Sequence, residues 1–520
     1  MQAGNVASKL AGVTLACLMP CIQLSDIFSP PRSVTKLARA ATLSPGSAGG
    51  EGGQVTQAVR VSARHGRYLE FDDGTTFVPV GLNLSFPRFA KNAEEGLVCY
   101  GEWLHELAAN GGNFFRLWLG HPFFDVEPDR AGEFDETAAE RLGRVLDLAW
   151  SLGLRTKVTL EHFRSLETAP VAEIFPGAAR FERGQYHCSK GGPVESMDAF
   201  WRGTEAQAFY LEKLDWLAER FAGHPAVMAW ELWNEINAAQ GHGWEVWTEQ
   251  MLPELRRRFP RCITLQSLGS FCGGYAEPAY RWLCGLPGND VAQVHRYLDP
   301  GAEWEVCRGP VDVLVADAVR TLCEWRTEAG GVTCPVLLAE GGAVEAHHAG
   351  PSNLYERDHE GIILHDVLFA PFFAGAAGCG QAWHWDVYVA RHQLWWHFGR
   401  FARAIAGFDP VAEGAEPVFW ETPRLRVYAL HGKDVSLIWL RDRRCDWSSE
   451  LEAGRDAVPV AGEHLCLLSD FATSGLVEFY DPWRDCGWAD RQGLNGNAGI
   501  ALPTFTRSLV VRLMTEAPSR

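Results

Sequence analysis

Positive charge is scarce in this chain of 520 residues: 47 Lys and Arg stand against 65 Asp and Glu, for a net charge of −18. An acidic surface repels a phosphate backbone, and no basic patch with interleaved aromatics offsets it, which argues against nucleic acid as a partner. Long apolar runs are also missing. No stretch approaches the roughly 20 apolar residues of a membrane-spanning helix. The 14 Cys are scattered, with neither the paired C-x-x-C motifs of a structural zinc site nor the spacing of a disulfide framework. They read as small buried apolar residues and leave the redox compartment open. No Gly-rich phosphate loop follows the first strand candidate, which argues against an open dinucleotide-binding sheet. No internal repeat is present.

What remains is a folded globular composition, with 47% hydrophobic and 22% charged residues. The length exceeds one compact domain and suggests a large domain of roughly 300–350 residues plus a smaller one. Trp is abundant, at 21. More than half belong to core packing by this reading, and others supply flat apolar platforms suited to sugar rings. Near the N-terminus, Leu10–Met19 has the length of a signal-peptide apolar region. It points to a secreted or periplasmic protein, while the single positive charge before it and the lack of an A-x-A site leave a cytoplasmic location open. Ser44–Gln57 is Gly/Ser-rich and reads as a linker, so residues 1–58 are assigned to a signal segment and linker.

From Val59 the chain begins with a β-hairpin turning at Asp72-Asp73-Gly74. Eight strand candidates follow: Val78–Asn83, Asn113–Leu119, Arg155–Glu161, Val227–Glu235, Ile263–Leu268, Asp290–Tyr297, Pro335–Glu340 and Gly378–Trp385. Helical spacing separates most of them, as at Leu142, Val145, Leu146 and Ala149. Eight β-then-α units imply a closed (β/α)8 TIM barrel, α/β in class, over residues 59–410. After Pro410 short β-rich runs take over, at Leu425–Leu430, Val435–Leu440, Gly475–Tyr480 and Ser508–Leu513. They predict a small antiparallel β-sandwich over residues 411–520.

Active residues of such barrels sit at the C-terminal strand ends. The candidates there are Arg116, His162, Asn234, Glu235, His295, Tyr297, Glu340, Trp383 and Trp385. Glu235 and Glu340 each end a strongly apolar run, and a buried carboxylate is costly unless paired or functional. Strands four and seven lie nearly opposite one another, so these two acids can flank one bond, as glycoside hydrolysis requires. Taken singly, each has a bland alternative: surface or capping residues for the Glu and Asn, a structural ion pair for Arg116, and a satisfied core imidazole for His295. Glu231 reads as structural. His347-His348 and Asp386 lack metal-ligand spacing, so no metal and no cofactor are expected.

The run Trp233-Asn234-Glu235, then His295-Arg296-Tyr297, then Ala339-Glu340-Gly341-Gly342 resembles glycoside hydrolase clan A, closest to family 5, the cellulases, mannanases and related β-glycosidases. The likeness spans about Val59 to Pro410 and departs at Gly341, where those enzymes often carry Phe. It implies a retaining β-glycoside hydrolase acting on a carbohydrate. Glu235 would be its acid/base and Glu340 its nucleophile, kept ionised by Arg116 and oriented by Tyr297. Asn234 would bind the sugar 2-hydroxyl and His295 would hold the carboxylates or the sugar. His162 would be a further sugar contact, and Trp383 or Trp385 a sugar platform. A transglycosylase on the same site, or a silent carbohydrate-binding protein, are the alternatives. The reading predicts carboxyl groups roughly 5–5.5 Å apart. It predicts cleft walls from Phe163–Met197, Gln240–Trp247 and Glu345–Glu360.

Overall fold

A computed structural model of the chain describes residues 58–162, 184–239, 241–328, 334–471, 474–495 and 499–515. The expected signal segment and linker, and residues 163–183 of the first cleft wall, lie outside them. Thr56–Arg520 forms one compact unit. Among the described residues no helix is long and apolar enough to cross a membrane.

The hairpin strands β1 (Val59–Val61), β2 (Leu69–Phe71) and β3 (Thr76–Phe77) form a small antiparallel sheet. The chain then enters a parallel sheet in sequential order: β4 (Gly81–Asn83), β5 (Phe114–Trp118), β6 (Arg155–His162), β7 (Val227–Asn234) and β8 (Ile263–Leu265). A second parallel pair joins β9 (Ala292–Leu298) to β10 (Val336–Ala343). Every residue of these seven strands is buried, as expected for parallel strands covered on both faces. Backbone hydrogen bonds link the two sheets at both edges. At one edge Asp290 N–H donates to Thr264 O at 2.9 Å and Phe271 N–H to His295 O at 2.8 Å. At the other edge lies the eighth candidate, Gly378–Trp385. It forms no regular ladder, only a bridge from Ala382 to Gly341, with Asn83 N–H donating to Ala382 O at 3.2 Å. Two close approaches require glycine in it: a Cβ on Gly378 would lie 2.5 Å from Pro79 O, and one on Gly380 2.1 Å from Val367 O.

Helices alternate with these strands: α1 (Ala93–Ala109), α2 (Glu136–Ser151), α3 (Met197–Arg202), α4 (Thr204–Phe221), α5 (Trp244–Arg258), α6 (Glu277–Cys284), α7 (Val311–Glu328), α8 (Ile362–Phe373) and α9 (Trp396–Ile405). Local sequence sets where they begin. The Asn92 side chain accepts from Glu95 N–H at the start of α1, and Asp135 accepts from Thr137 N–H at the start of α2.

The C-terminal strands form a six-stranded antiparallel sheet: β11 (Glu416–Glu421), β12 (Leu425–His431), β13 (Val435–Asp442), β18 (Ser508–Thr515), β15 (Ser474–Asp481) and β16 (Cys486–Asn495), in that spatial order. A two-stranded sheet, β14 (His464–Leu465) with β17 (Ile500–Ala501), accompanies it. Alternation sorts the two faces of the larger sheet. Val427, Ala429, Ile438 and Leu440 share a small core with Leu465 and Ile500. Tyr428, Leu430, Leu437 and Trp439 face the other way and join the main core. The main core meets them through α8, all of whose residues are buried. A helix apolar on every side is one enclosed on every side.

Two buried ion pairs cross this junction. Arg426 grips Asp312 of α7 at 2.5 and 2.8 Å, and the Tyr428 hydroxyl donates to the same carboxylate at 2.9 Å. Arg441 grips Asp366 of α8 at 2.7 and 3.0 Å. Removing one partner strands a buried charge. Asp312→Ala is expected to cost about 3–5 kcal/mol in urea unfolding at neutral pH. An Asp312→Ala protein as stable as the parent would show that the junction does not depend on this pair.

Candidate active site

Arg116, the central residue of β5, is fully buried and binds groups from the surrounding strands. Its Nη1 donates to Glu340 Oε1 at 2.6 Å and to Asn83 Oδ1 at 3.3 Å. Nη2 donates to Asn234 Oδ1 at 2.6 Å. Nε donates to Glu231 Oε2 and to Thr159 Oγ1, both at 2.9 Å. Burial works against the guanidinium charge, yet Glu231 and Glu340 raise its pKa above the ordinary value.

Local irregularities aim the side chains that meet here. On β10 the pairing with β9 skips between Leu338 and Glu340. This bulge re-aims the chain just where Glu340 begins its contacts. On β7, Glu231 and Asn234 both reach Arg116 although three positions separate them. Trp233, between them, packs on Trp201 and Trp247 toward the helices, with ring centroids 5.1 and 5.8 Å away. Glu235 itself takes a left-handed conformation, φ 50° and ψ 51°. A non-glycine residue in that region is held there by its surroundings, a form of strain that concentrates at functional sites. Here the Glu235 N–H donates to Ser267 Oγ at 3.1 Å.

Glu340 is 3% exposed. Its Oε1 is held by Arg116, and its Oε2 accepts from the Tyr297 hydroxyl at 2.7 Å. Burial first, and the carboxylates of Glu340 and Glu235 second, push the Tyr297 phenol well above its usual range, so it stays a donor. His295 Nδ1 lies 2.7 Å from Glu235 Oε1 and 3.6 Å from Glu340 Oε2. Oxygen and nitrogen atoms of Glu235, His295 and Glu340 all lie within 4.8 Å of one another. Among the described residues these three also form the one grouping with metal-ligand spacing. Within it His295 Nδ1 lies in hydrogen-bond reach of Glu235, and the Tyr297 hydroxyl donates to Glu340.

Arg116, Asn234, Glu235, His295, Tyr297 and Glu340 thus converge on one point. The other three candidates are placed differently. Trp383 is half-buried, and its ring packs on Trp118 with centroids 5.0 Å apart. Trp385 is fully buried against Phe86, Trp103 and Trp383, which leaves no ring face for a sugar. The left-handed turn at His384, φ 61°, separates these two environments. His162 is 2% exposed, with its ring 4.9 Å from Trp118. Of the segment expected as a cleft wall, His348 reaches the site: its ring meets Tyr297 edge-on at 5.1 Å, and Asp299 and Ser270 fix its two nitrogens at 3.0 and 2.8 Å.

Sequence reasoning missed Asn83, Thr159, Ser267 and Trp118, and left Glu231 as a structural residue. Asn83 and Trp118 end β4 and β5, whereas Thr159 lies within β6 and Ser267 two residues past β8, where strand position gives no signal. Burial pushes the Glu231 carboxyl up, but Arg116 and Lys157 more than offset it and bring it down to about 2. A folded pKa below the unfolded one stabilises above the ordinary carboxylate range, and the contribution fades as pH falls through that range toward 2. Glu231→Gln is therefore expected to lose about 3 kcal/mol of unfolding free energy at pH 7, with a smaller deficit at pH 3. A deficit that is constant with pH would mean that the charge of Glu231 is not what stabilises the fold.

No protein-family model and no curated protein matches the sequence. Solved structures do match the fold. A glycoside hydrolase aligns at TM-score 0.56 and 13% identity, over 89% of this chain and 98% of that one. A glycoside hydrolase of family 5 from Bacteroides vulgatus aligns at TM-score 0.56 and 15% identity, over 89% of this chain and 94% of its own. At such identities the likeness is one of fold, and it extends through both the parallel and the antiparallel sheets.

Proposed function

We propose that this chain is a retaining β-glycoside hydrolase, with Glu340 as nucleophile and Glu235 as acid/base. One observation carries the reading. A Glu235 atom and a Glu340 atom lie within 4.8 Å of one another, and the two carboxylates differ in their partners. Retaining enzymes hold their carboxyl groups about 5–5.5 Å apart, whereas inverting ones leave roughly 6.5–9.5 Å for a water. The reading includes a closed (β/α)8 barrel over residues 59–410 followed by a β-sheet domain over 411–520. Export rests on the apolar run Leu10–Met19 alone.

The roles follow from the contacts. Arg116 and the Tyr297 hydroxyl bind both oxygens of Glu340 and fix its direction of attack on the anomeric carbon. Glu235 gives its proton to the departing glycosidic oxygen as the bond from that oxygen to the anomeric carbon breaks. The glycosyl group is then an ester of Glu340. Glu235, now a carboxylate, takes a proton from water as the water attacks the same carbon and Glu340 leaves. His295 bridges toward both acids and orients Glu235 through its Nδ1. Arg116 occupies the Asn234 Oδ1. The Asn234 Nδ2 is then the group that donates to the sugar 2-hydroxyl, an interaction that strengthens in the transition state. Trp383 supplies the apolar floor, a role its buried neighbour Trp385 cannot take.

Turnover of a panel of aryl β-glycosides, followed by proton NMR of the first-formed sugar, tests the reading. The β-anomer is expected first. Glu340→Gly is expected to lose at least about 10⁴-fold in rate and to regain activity with azide, giving an α-glycosyl azide. Wild-type rates in that variant, or an α-anomer as first product, would remove Glu340 as nucleophile.

A further inference from the structure

Beneath the two carboxylates lies a second layer of charge that the reaction as written leaves unused. Lys157 on β6 is 1% exposed, and its ammonium contacts the Gln293 carboxamide oxygen on β9. The Gln293 Nε2 donates to Glu231 Oε1 at 3.0 Å. Glu231 Oε2 accepts from Arg116 Nε at 2.9 Å and from Thr159 Oγ1 at 2.5 Å, and Arg116 Nη1 closes on Glu340 at 2.6 Å. We infer that Lys157 is a positioning residue for the reaction assigned above, acting on Glu340 through the buried chain Gln293–Glu231–Arg116.

Charge balance in the buried interior couples Lys157 to Glu340. The charged groups around Lys157 are Arg116 from β5, Glu231 from β7 and Glu340 from β10, while Gln293 from β9 is neutral. With Lys157 protonated, two cations face two carboxylates. When Glu340 becomes a glycosyl ester it loses its charge, and two buried cations then share the single carboxylate of Glu231. Release of a proton from Lys157 to solvent restores the balance. Burial already lowers Lys157 to about 7, against the pull of Glu231, so that release falls near neutral pH. Linkage makes the effect reciprocal: an ammonium at Lys157 favours the free, ionised Glu340, and the glycosylated state favours the neutral amine. Gln293 carries this coupling as a fixed dipole, with its oxygen toward the cation and its NH2 toward the carboxylate.

The inference rests on the hydrolase reading, and the test separates the two. The pH dependence of kcat/KM, which reports the free enzyme, is measured on the 4-nitrophenyl β-glycoside that the wild type turns over. Lys157→Met removes a positive charge and is expected to move the acidic limb upward by on the order of one pH unit. A merely structural lysine would lower kcat/KM evenly and leave the limb in place, which would overturn the inference. A second measurement does not depend on the variant folding. Carbon-13 lysine NMR titrates Lys157 in the wild type before and after Glu340 is trapped by the matching 2,4-dinitrophenyl 2-deoxy-2-fluoro glycoside. The Lys157 midpoint is expected to fall on trapping, and an unchanged midpoint would overturn the inference. Absence of wild-type turnover across the panel would instead overturn the hydrolase reading on which it stands.

Discussion

The site is organised around one buried guanidinium. Arg116 has no solvent to share its charge, so its five N–H donors must find acceptors in the protein. It finds them in Asn83, Thr159, Glu231, Asn234 and Glu340, which come from strands β4, β6, β7 and β10. A guanidinium is planar and stiff, so these acceptors are fixed in relation to one another as well as to it. The geometry of Glu340 is therefore set by four neighbouring strands at once. Any shift of one strand against the next would strand a charge in a medium that tolerates none.

That constraint explains why the strands break their own regularity. A strict alternation would turn Asn234 away from Arg116 if Glu231 faced it. The chain instead takes three steps between them and sends Trp233 into the helical layer. The skip at Leu338–Glu340 and the left-handed backbone of Glu235 are departures of the same kind. Each has a local cost, and each is held by contacts that span distant parts of the sequence.

These departures also mark the limit of what the sequence discloses. The apolar runs of β5, β7 and β10 are legible because parallel strands buried on both faces leave a continuous signature. The W-N-E and H-x-Y patterns single out the residues that meet at Arg116. Alternation along the last candidate strand gives Trp383 and Trp385 the same face. The turn at His384 separates them and buries the second. Nothing within that short segment signals the turn; the His384 ring instead meets Tyr355, 29 residues earlier in the chain. Among the C-terminal strands, β12, β13, β15 and β18 announce themselves by alternation. β16, with Gly, Asp, Arg and Gln in CGWADRQGLN, does not, since pairing with β15 rather than its own apolarity defines it.

The enclosed helix α8 has a consequence for how such a molecule can be cut or shuffled. Its residues Ile362–Phe373 find partners in β10 on one side and in β12 and β13 on another. Excising the C-terminal sheet would leave a greasy stripe, with Asp366 shorn of Arg441, open to water. The appended sheet is thus a wall of the protein's core and not detachable cargo. Recombination that swapped it for a foreign module would have to supply a surface of matching apolar shape and a replacement cation.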